Sequence, residues 1–195
     1  MRVLVVHAHP NPQSFNATIF QTAVAALRAT GHHVDAIALY EDGFVPAMTA
    51  AERRRYESEE PIIDDQVRMY AELLVRAEAL VFIYPTWWFG LPAILKGWLE
   101  RVFVPHVAFT FDSRGRVRPS LSNIRRVVGI ATYGSPRLYV WLIGDAGRRT
   151  LLRAIRLVCA PRAKTTWVGL YGMDSSSKRQ RKTFLEQVSR KLRTM

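Results

Sequence analysis

The stretch VLVVHAHPNPQSFN, residues 3–16, combines a short apolar run with a polar loop that leads into a helix. Its first four residues are β-branched or aliphatic, which is typical of a strand buried on both faces of a sheet. Over residues 14–30 apolar side chains recur every four positions, and Gly31 then supplies a stop signal. The stretch therefore predicts a buried strand, a polar loop and a helix in direct succession.

The same alternation of apolar runs and periodic segments continues along the chain. Further strands are predicted at residues 34–39, 80–84, 127–132 and 165–171, with helices between them and a helix at the end. Residues 40–61 indicate a long, polar, partly helical excursion, and residues 107–117 indicate a small hairpin. We predict a single α/β domain over residues 1–195, with a flavodoxin-like three-layer fold. Its five-stranded parallel sheet would have the order 2-1-3-4-5, with helices on both faces.

Composition bounds the class of protein independently of any motif. The 195 residues are 49% hydrophobic and 23% charged, which is typical of a globular protein rather than a disordered tail or a coiled-coil rod. Cys159 is the only cysteine, so no intrachain disulfide is possible and a reducing compartment is expected. Neither a secretory signal nor a membrane-spanning run of about 20 residues is evident, so we expect a soluble, cytoplasmic protein.

The chain is strongly basic, with 28 Lys and Arg against 16 Asp and Glu, a formal net charge of +12. Residues 178–193 carry seven of these basic side chains. This excess of basic side chains can simply form a solvated helix face. Alternatively it can steer an anionic nucleotide, or contact nucleic acid or an acidic membrane surface. No nucleic-acid motif is present, and no cluster of His, Cys, Asp and Glu has metal-ligand spacing. We therefore expect neither nucleic acid nor a metal ion as a ligand.

Three unusual loops follow the first, third and fourth strands of the predicted sheet. In the order 2-1-3-4-5 these loops share the carboxyl edge, where ligands of such sheets bind. The first loop, residues 7–16, ends at a helix N-terminus, which suits a phosphate. Ser14, Asn16 and His9 can add side-chain hydrogen bonds to that phosphate. The alternative interpretation is that Ser14 or Asn16 only caps the helix and the histidines lie on the surface.

The second and third loops carry aromatic and hydroxyl groups. Residues 84–92, YPTWWFGLP, place four aromatic rings within six residues, which suits a planar ring system at a strand end. A hydrophobic corner buried under the next helix is the alternative, but two adjacent tryptophans do not easily face one core. Residues 131–136, ATYGSP, add hydroxyls and a glycine, although strand-to-helix turns often use these residues. We favour a binding role for the aromatic loop.

Taken together, these motifs resemble the flavodoxin-like NAD(P)H:quinone oxidoreductases. The resemblance rests on His9-Pro10 with Ser14-Phe15-Asn16, on the aromatic loop 84–92, on LKGWLERVF at 95–103 and on AFTFD at 108–112. The family includes DT-diaphorase-like quinone reductases and the ancillary subunits of glutathione-gated potassium efflux systems. The similarity is strong over residues 1–20 and 78–112 and faint after residue 137.

The resemblance implies a bound flavin, FMN or FAD, with NAD(P)H as co-substrate. For the phosphate or pyrophosphate it implies His9, Ser14, Phe15 and Asn16. For the isoalloxazine it implies Pro85, Thr86, Trp87, Trp88 and Phe89. For the other side of the ring it implies Thr132, Tyr133, Gly134 and Ser135. FMN is favoured because no long extension is evident that would embrace an adenosine. Family members are dimers, so we expect a homodimer that passes a hydride from NAD(P)H through the flavin to a quinone or similar acceptor.

The sequence departs from the family pattern after the fourth strand. Tyr133 stands where the family usually has the first glycine of Thr-Gly-Gly, so its side chain could crowd the ring, stack on it or point outward. Residues 136–143 are unusually apolar and could form a dimer surface or a lid. Within them Tyr139 is a candidate catalytic contact to the acceptor, as is Tyr133 in the preceding loop.

Two other functions compatible with the resemblance are a regulatory flavoprotein that contacts a membrane transport system and a flavodoxin-like electron carrier. Co-purification with a membrane partner would favour the regulator. The charge of +12 argues against the carrier, which would normally be acidic to meet basic partners.

Overall fold

Five parallel strands form the central sheet of the computed structural model, which describes residues 1–195. They lie in the order β2-β1-β3-β6-β7, and β4 and β5 form a separate antiparallel hairpin. The strands are β1 (Arg2–His7), β2 (His33–Ala38), β3 (Ala79–Pro85), β4 (Phe109–Phe111), β5 (Val117–Pro119), β6 (Arg126–Thr132) and β7 (Lys164–Leu170). Because the hairpin is not part of the sheet, this order is the predicted 2-1-3-4-5, and the prediction is confirmed.

Helices cover both faces of this sheet. They are α1 (Phe15–Arg28), α2 (Ala50–Arg55), α3 (Asp65–Arg76), α4 (Ala93–Val102), α5 (Arg137–Ile143), α6 (Ala146–Arg149) and α7 (Lys178–Arg193). α1 and α7 pack together on one face, while α3 and α4 pack on the other. None of the helices is both long enough and apolar enough to cross a membrane.

The excursion between β2 and α3 is fastened to α4 by a buried arginine. The Arg101 guanidinium is bound by Glu52 Oε1, at 2.8 and 2.6 Å from its Nε and Nη2, and by Asp64 Oδ2, at 3.0 Å from Nη2. A Cβ added at Gly97 would lie 2.2 Å from the Pro46 carbonyl oxygen, so the two backbones approach too closely for a side chain. These contacts give the polar segment a fixed place against the helix layer.

The segment after α6 differs from the single helix that the apolar spacing predicts there. A π-helical turn, Thr150–Ala154, is followed by a 3-10 turn, Ile155–Val158. The buried residues Leu151, Ile155 and Cys159 are nevertheless four positions apart. That spacing is common to several helix types, so it could not distinguish them.

Candidate functional site

The structure brings the three loops together at the carboxyl edge of the sheet. They follow β1, β3 and β6, which are adjacent strands. The Thr86 backbone N–H donates to the Thr132 carbonyl oxygen at 2.8 Å, which ties the second loop to the third. Asn16 Nδ2 lies 3.4 Å from Thr132 Oγ1, which ties the first loop to the third. The site is therefore a shared edge and not three separate turns.

The first turn of α1 leaves backbone donors free. Ser14 Oγ accepts from the Ala17 N–H at 3.1 Å and so caps the helix, as the alternative interpretation of this residue proposes. The N–H groups of Phe15 and Asn16 have no acceptor in the protein. Asn16 is buried, and its Oδ1 has no hydrogen-bond partner of standard geometry, although its side chain lies close enough to His7 to oppose the lowering of that histidine's pKa. The turn thus offers two donors and the positive end of the helix dipole to an anion.

The two histidines after β1 differ in environment. His7 is buried and stacks on Phe20 with ring centroids 4.7 Å apart, and burial, with a smaller effect of His9, lowers its pKa from 6.5 to about 4. His9 is partly exposed, and its Nδ1 accepts from the Asn11 N–H at 3.0 Å. Burial also lowers the pKa of His9. In the neutral tautomer that this bond selects, Nε2–H of His9 is the free donor.

The aromatic loop turns through two residues in the left-handed region. Trp88 and Phe89 have φ of 48° and 57°, and the Gly90 N–H donates to the Trp87 carbonyl oxygen at 3.0 Å. Bulky residues pay a conformational cost in this region, which is common at functional sites. The N–H groups of Trp88 and Phe89 have no acceptor in the protein. The turn thus offers two further backbone N–H donors to a ligand.

The side chains of this loop point in different directions. Trp87 is 42% exposed, and its ring lies 6.3 Å from the His9 ring, so it faces the first loop. The Trp88 side chain is 98% exposed, while Phe89 packs partly against the core. Pro85 is buried, and Thr86 Oγ1 is a buried oxygen without a partner. Trp87 is therefore the aromatic ring of this loop that lies beside the phosphate-binding turn.

Tyr133 lies in the core and not in the cleft. Tyr133 is 1% exposed, and its hydroxyl donates to the two Asp145 carboxylate oxygens at 2.9 and 3.1 Å. Its ring stacks on the Tyr171 ring with the centroids 4.5 Å apart. Burial, followed by the Asp145 charge, raises the pKa of this hydroxyl far above its usual value. The side chain thus neither crowds the cleft nor points outward, and it would have to leave the core to meet a ligand. This placement corrects the expectation that Tyr133 contacts the flavin or the acceptor.

The rest of the third loop remains at the edge. A Cβ added at Gly134 would lie 2.8 Å from Asp174 Oδ2, so a larger residue here would displace the exposed Asp174 carboxylate. Ser135 is partly exposed, and its carbonyl oxygen accepts from the Gly172 N–H at 3.1 Å. Tyr139 is 59% exposed on α5, which begins two residues after Ser135.

Sequence reasoning missed Asp145 and Asp174. Asp145 caps α6, with its carboxylate accepting from the Arg148 N–H, and a cap at this position was open to prediction from the D-A-G-R pattern. Asp174 approaches Gly134 from a loop 40 residues further along the chain, and no local signal marks that contact.

The unpaired groups at this edge fit a flavin. Four backbone N–H groups, on Phe15, Asn16, Trp88 and Phe89, have no protein acceptor, and two oxygens, Asn16 Oδ1 and Thr86 Oγ1, are buried without a donor. Buried polar groups nearly always have partners, so the two buried oxygens suit a ligand that supplies them. The four N–H groups are open donors at the same edge, and a ligand bound there can accept from them. A flavin phosphate accepts hydrogen bonds, and the polar edge of the isoalloxazine both accepts and donates them.

Comparison with known proteins identifies the family. A family described as having a flavodoxin-like fold matches residues 1–192, and the chain therefore belongs to it. The guinea-pig (Cavia porcellus) NAD(P)H dehydrogenase (quinone) 1 is 33% identical over 153 residues, which are 71% of this chain and 55% of that protein. The chain thus spans about half the length of this curated relative.

Two solved structures are similar over the whole chain. The Streptococcus mutans UA159 protein Smu.1420 has 30% sequence identity and a TM-score of 0.86, with all of both chains covered. An NAD(P)H:quinone oxidoreductase from Methanothermobacter marburgensis has 25% identity and a TM-score of 0.81, with all of this chain and 96% of that chain covered. The resemblance to flavodoxin-like NAD(P)H:quinone oxidoreductases is confirmed.

Proposed function

We propose that the carboxyl edge of the sheet binds a flavin and that the protein is an oxidoreductase. It would transfer reducing equivalents from NAD(P)H to a quinone or a similar small acceptor. The observation that carries this proposal is the cluster of unpaired polar groups on three adjacent loops. The names of the guinea-pig and Methanothermobacter relatives, which refer to NAD(P)H and quinone, support the reaction class.

The residues of the chain have separable tasks in this proposal. The N–H groups of Phe15 and Asn16, with Nε2–H of His9, hold the phosphate against the positive end of α1. The N–H groups of Trp88 and Phe89 donate to the polar edge of the ring system, and the Trp87 ring shields the site from water. A bound flavin supplies hydride chemistry that amino-acid side chains lack. The protein contributes orientation and fixed dipoles.

The identity of the flavin is the finer part of the proposal. We infer FMN, because the first loop passes directly from β1 into α1 within eight residues and offers no extension around an adenosine. The donors at the α1 N-terminus are sufficient for one phosphate group.

We further propose that the protein is a homodimer and that α5 contributes to the contact. Leu138, Leu142 and Ile143 of this helix are large, apolar and exposed in the single chain. A contiguous exposed apolar surface of this kind marks an interface more often than a free surface.

The visible absorption spectrum of the purified protein, before and after anaerobic addition of NADPH, tests the function. Flavin bands that bleach with NADPH, or with NADH in a repeat, and return when a quinone is added are the expected result. Protein that carries no flavin and takes up neither FMN nor FAD would contradict the flavin site. Flavin bands that persist with both nucleotides would contradict the oxidoreductase activity while leaving the flavin site intact.

A further inference from the structure

A groove lined by five arginines runs along the edge strand β7. Its volume is about 650 Å³. Thr165, near the start of β7, and Tyr171, just after its end, line the groove, so it follows the strand for about 20 Å at the usual rise of 3.3 Å per residue. The arginines, which define what we term the arginine groove, come from α5, α6 and the turns after them: Arg137, Arg148, Arg149, Arg153 and Arg156.

The positive charge of this groove is not neutralised within the chain. None of the five arginines forms a salt bridge, although ten ion pairs occur elsewhere in the structure. Asp145 is the only acidic residue that lines the groove, so the five arginines outnumber it and the lining keeps a net positive charge. Guanidinium groups that share a concave surface repel one another, and a bound anion would offset that repulsion.

Three of these arginine side chains are held in place by neighbouring residues. The Arg148 guanidinium lies 5.8 Å from the centroid of the Trp167 ring, and that of Arg137 lies 6.0 Å from the Tyr171 ring. Arg156 Nε donates to the Ala163 carbonyl oxygen at 3.0 Å, which leaves its Nη groups free. Stacking on an aromatic face positions a guanidinium without using its N–H donors. The groove is thus partly preorganised, which lowers the entropic cost of binding.

The arrangement points to the chemistry of a ligand. Guanidinium groups match the oxygens of a phosphate in a bidentate geometry. Arg137 stands beside Tyr171, just after the carboxyl end of β7, and Arg148 stands beside Trp167 at the middle of the strand. Arg156 donates to the Ala163 carbonyl oxygen at the amino end. We propose that the arginine groove binds a ligand that carries two or more linked phosphate groups. Its concave shape and volume suit a small molecule.

Two sources could supply such a ligand, because α6, which contributes Arg148 and Arg149 to the groove, also packs against the aromatic loop. A Cβ added at Gly147 of α6 would lie 3.3 Å from the Gly90 carbonyl carbon. The phosphates of NAD(P)H bound at the carboxyl edge are one source, and a separate polyphosphate metabolite is the other. The chemistry recognised is the same in both cases.

Isothermal titration calorimetry with pyrophosphate, at constant ionic strength set with NaCl, tests the proposal. We expect pyrophosphate to bind, and inorganic phosphate to bind more weakly because it engages fewer arginines. The double variant R148Q/R153Q should lose affinity by roughly tenfold or more, whereas R148K/R153K should retain part of it. The control R190Q/R193Q removes the same charge from exposed positions on α7 and should bind as the parent protein does.

The outcomes separate the groove from the flavin site, because Arg148 and Arg153 line the groove and lie outside the phosphate-binding turn of α1. Absence of pyrophosphate binding, or an equal loss in R148Q/R153Q and the α7 control, would overturn the proposal. Where pyrophosphate binds, a titration in saturating NADPH identifies the source. If NADPH displaces pyrophosphate and binds more weakly to R148Q/R153Q, the groove belongs to the nucleotide. If pyrophosphate binds undiminished in saturating NADPH, the groove belongs to a separate polyphosphate.

Discussion

Ser14 combines two tasks at the first turn of α1. Its hydroxyl oxygen caps the helix by accepting from the Ala17 N–H, and it stands beside the free N–H groups of Phe15 and Asn16. An aspartate caps a helix about as well as a serine, so a carboxylate here keeps the cap while adding negative charge. This position therefore allows the anion site to be tested without disturbing the fold.

We predict that Ser14→Asp weakens flavin binding by roughly tenfold or more, because a carboxylate within a few ångströms of a phosphate repels it. Equilibrium dialysis with FMN measures the change, and thermal unfolding of the apoprotein checks the fold. Gln21→Asp, exposed on the same helix, is the matched control and should retain the parent affinity. Equal affinities in Ser14→Asp and the control would contradict the phosphate site.

Tyr133 is a structural residue in this arrangement. Its hydroxyl is the side-chain partner of the buried Asp145 carboxylate, and its ring contacts Trp167 and Tyr171. Loss of the hydroxyl leaves a buried carboxylate with fewer donors, which is costly.

We predict that Tyr133→Phe lowers the free energy of unfolding by about 1–3 kcal/mol. Urea unfolding followed by fluorescence measures it. Tyr139→Phe, at an exposed position, should leave the free energy within about 0.5 kcal/mol of the parent value. A Tyr133→Phe protein of unchanged stability but reduced turnover would instead restore the catalytic role that the sequence suggested.

At the scale of elements, the excursion between β2 and α3 depends on one residue of α4. Arg101 is 5% exposed, and it donates to Glu52, Asp64 and the Val45 carbonyl oxygen. Its guanidinium also lies 5.3 Å from the centroid of the Phe44 ring. The Arg101 side chain of α4 thus holds the polar excursion in position.

We predict that Arg101→Met destabilises the protein by about 3–5 kcal/mol, because the buried Glu52 carboxylate loses its cation. Chemical denaturation measures the loss, and limited proteolysis is expected to cleave within residues 44–64 first. Lys96→Met removes an exposed cation from the same helix and should cost less than about 1 kcal/mol. Comparable losses in the two variants would contradict the structural role of Arg101.

The whole molecule responds to pH through His7. The folded protein holds this residue at a pKa of about 4, while the unfolded chain has the ordinary value of 6.5. Between these values the unfolded chain binds a proton that the folded protein does not. The contribution of His7 to stability is therefore present above pH 6.5 and is lost as the pH falls toward 4.

We predict that unfolding free energy falls between about pH 7 and pH 4.5 and that His7→Gln reduces this fall, by up to about 3 kcal/mol. Urea titrations of both proteins at the two pH values measure the difference. Carboxylates titrate in the same range, so the test is the difference between the parent protein and His7→Gln in how steeply the unfolding free energy falls with pH. Identical slopes would contradict the burial of a neutral histidine at this position.

The proposed dimer is also a property of the whole molecule. We predict that Leu142→Glu on α5 converts a dimer to a monomer, because a carboxylate in an apolar interface loses its hydration without gaining a partner. Light scattering after size exclusion measures the mass. Leu157→Glu, at another exposed apolar position, is the control and should leave the dimer intact. A parent protein that is monomeric would contradict the proposal directly.

The sequence by itself determined the order of strands and helices and the place of the three loops. Apolar runs such as residues 3–6 and 80–84 are local signals, and right-handed crossovers leave few ways to arrange parallel strands. The carboxyl edge then follows from chain direction alone, so residues as distant as Asn16 and Thr132 could be placed together in advance.

Only the tertiary structure decided where individual side chains point. The Tyr133 hydroxyl bonds within the core to Asp145, which lies 12 positions away, and Gly134 lies against Asp174 from another loop. The arginine groove likewise gathers side chains from α5, α6 and the two turns after α6 beside β7. Such contacts are set by packing between elements, and composition and periodicity report only on the element to which a residue belongs.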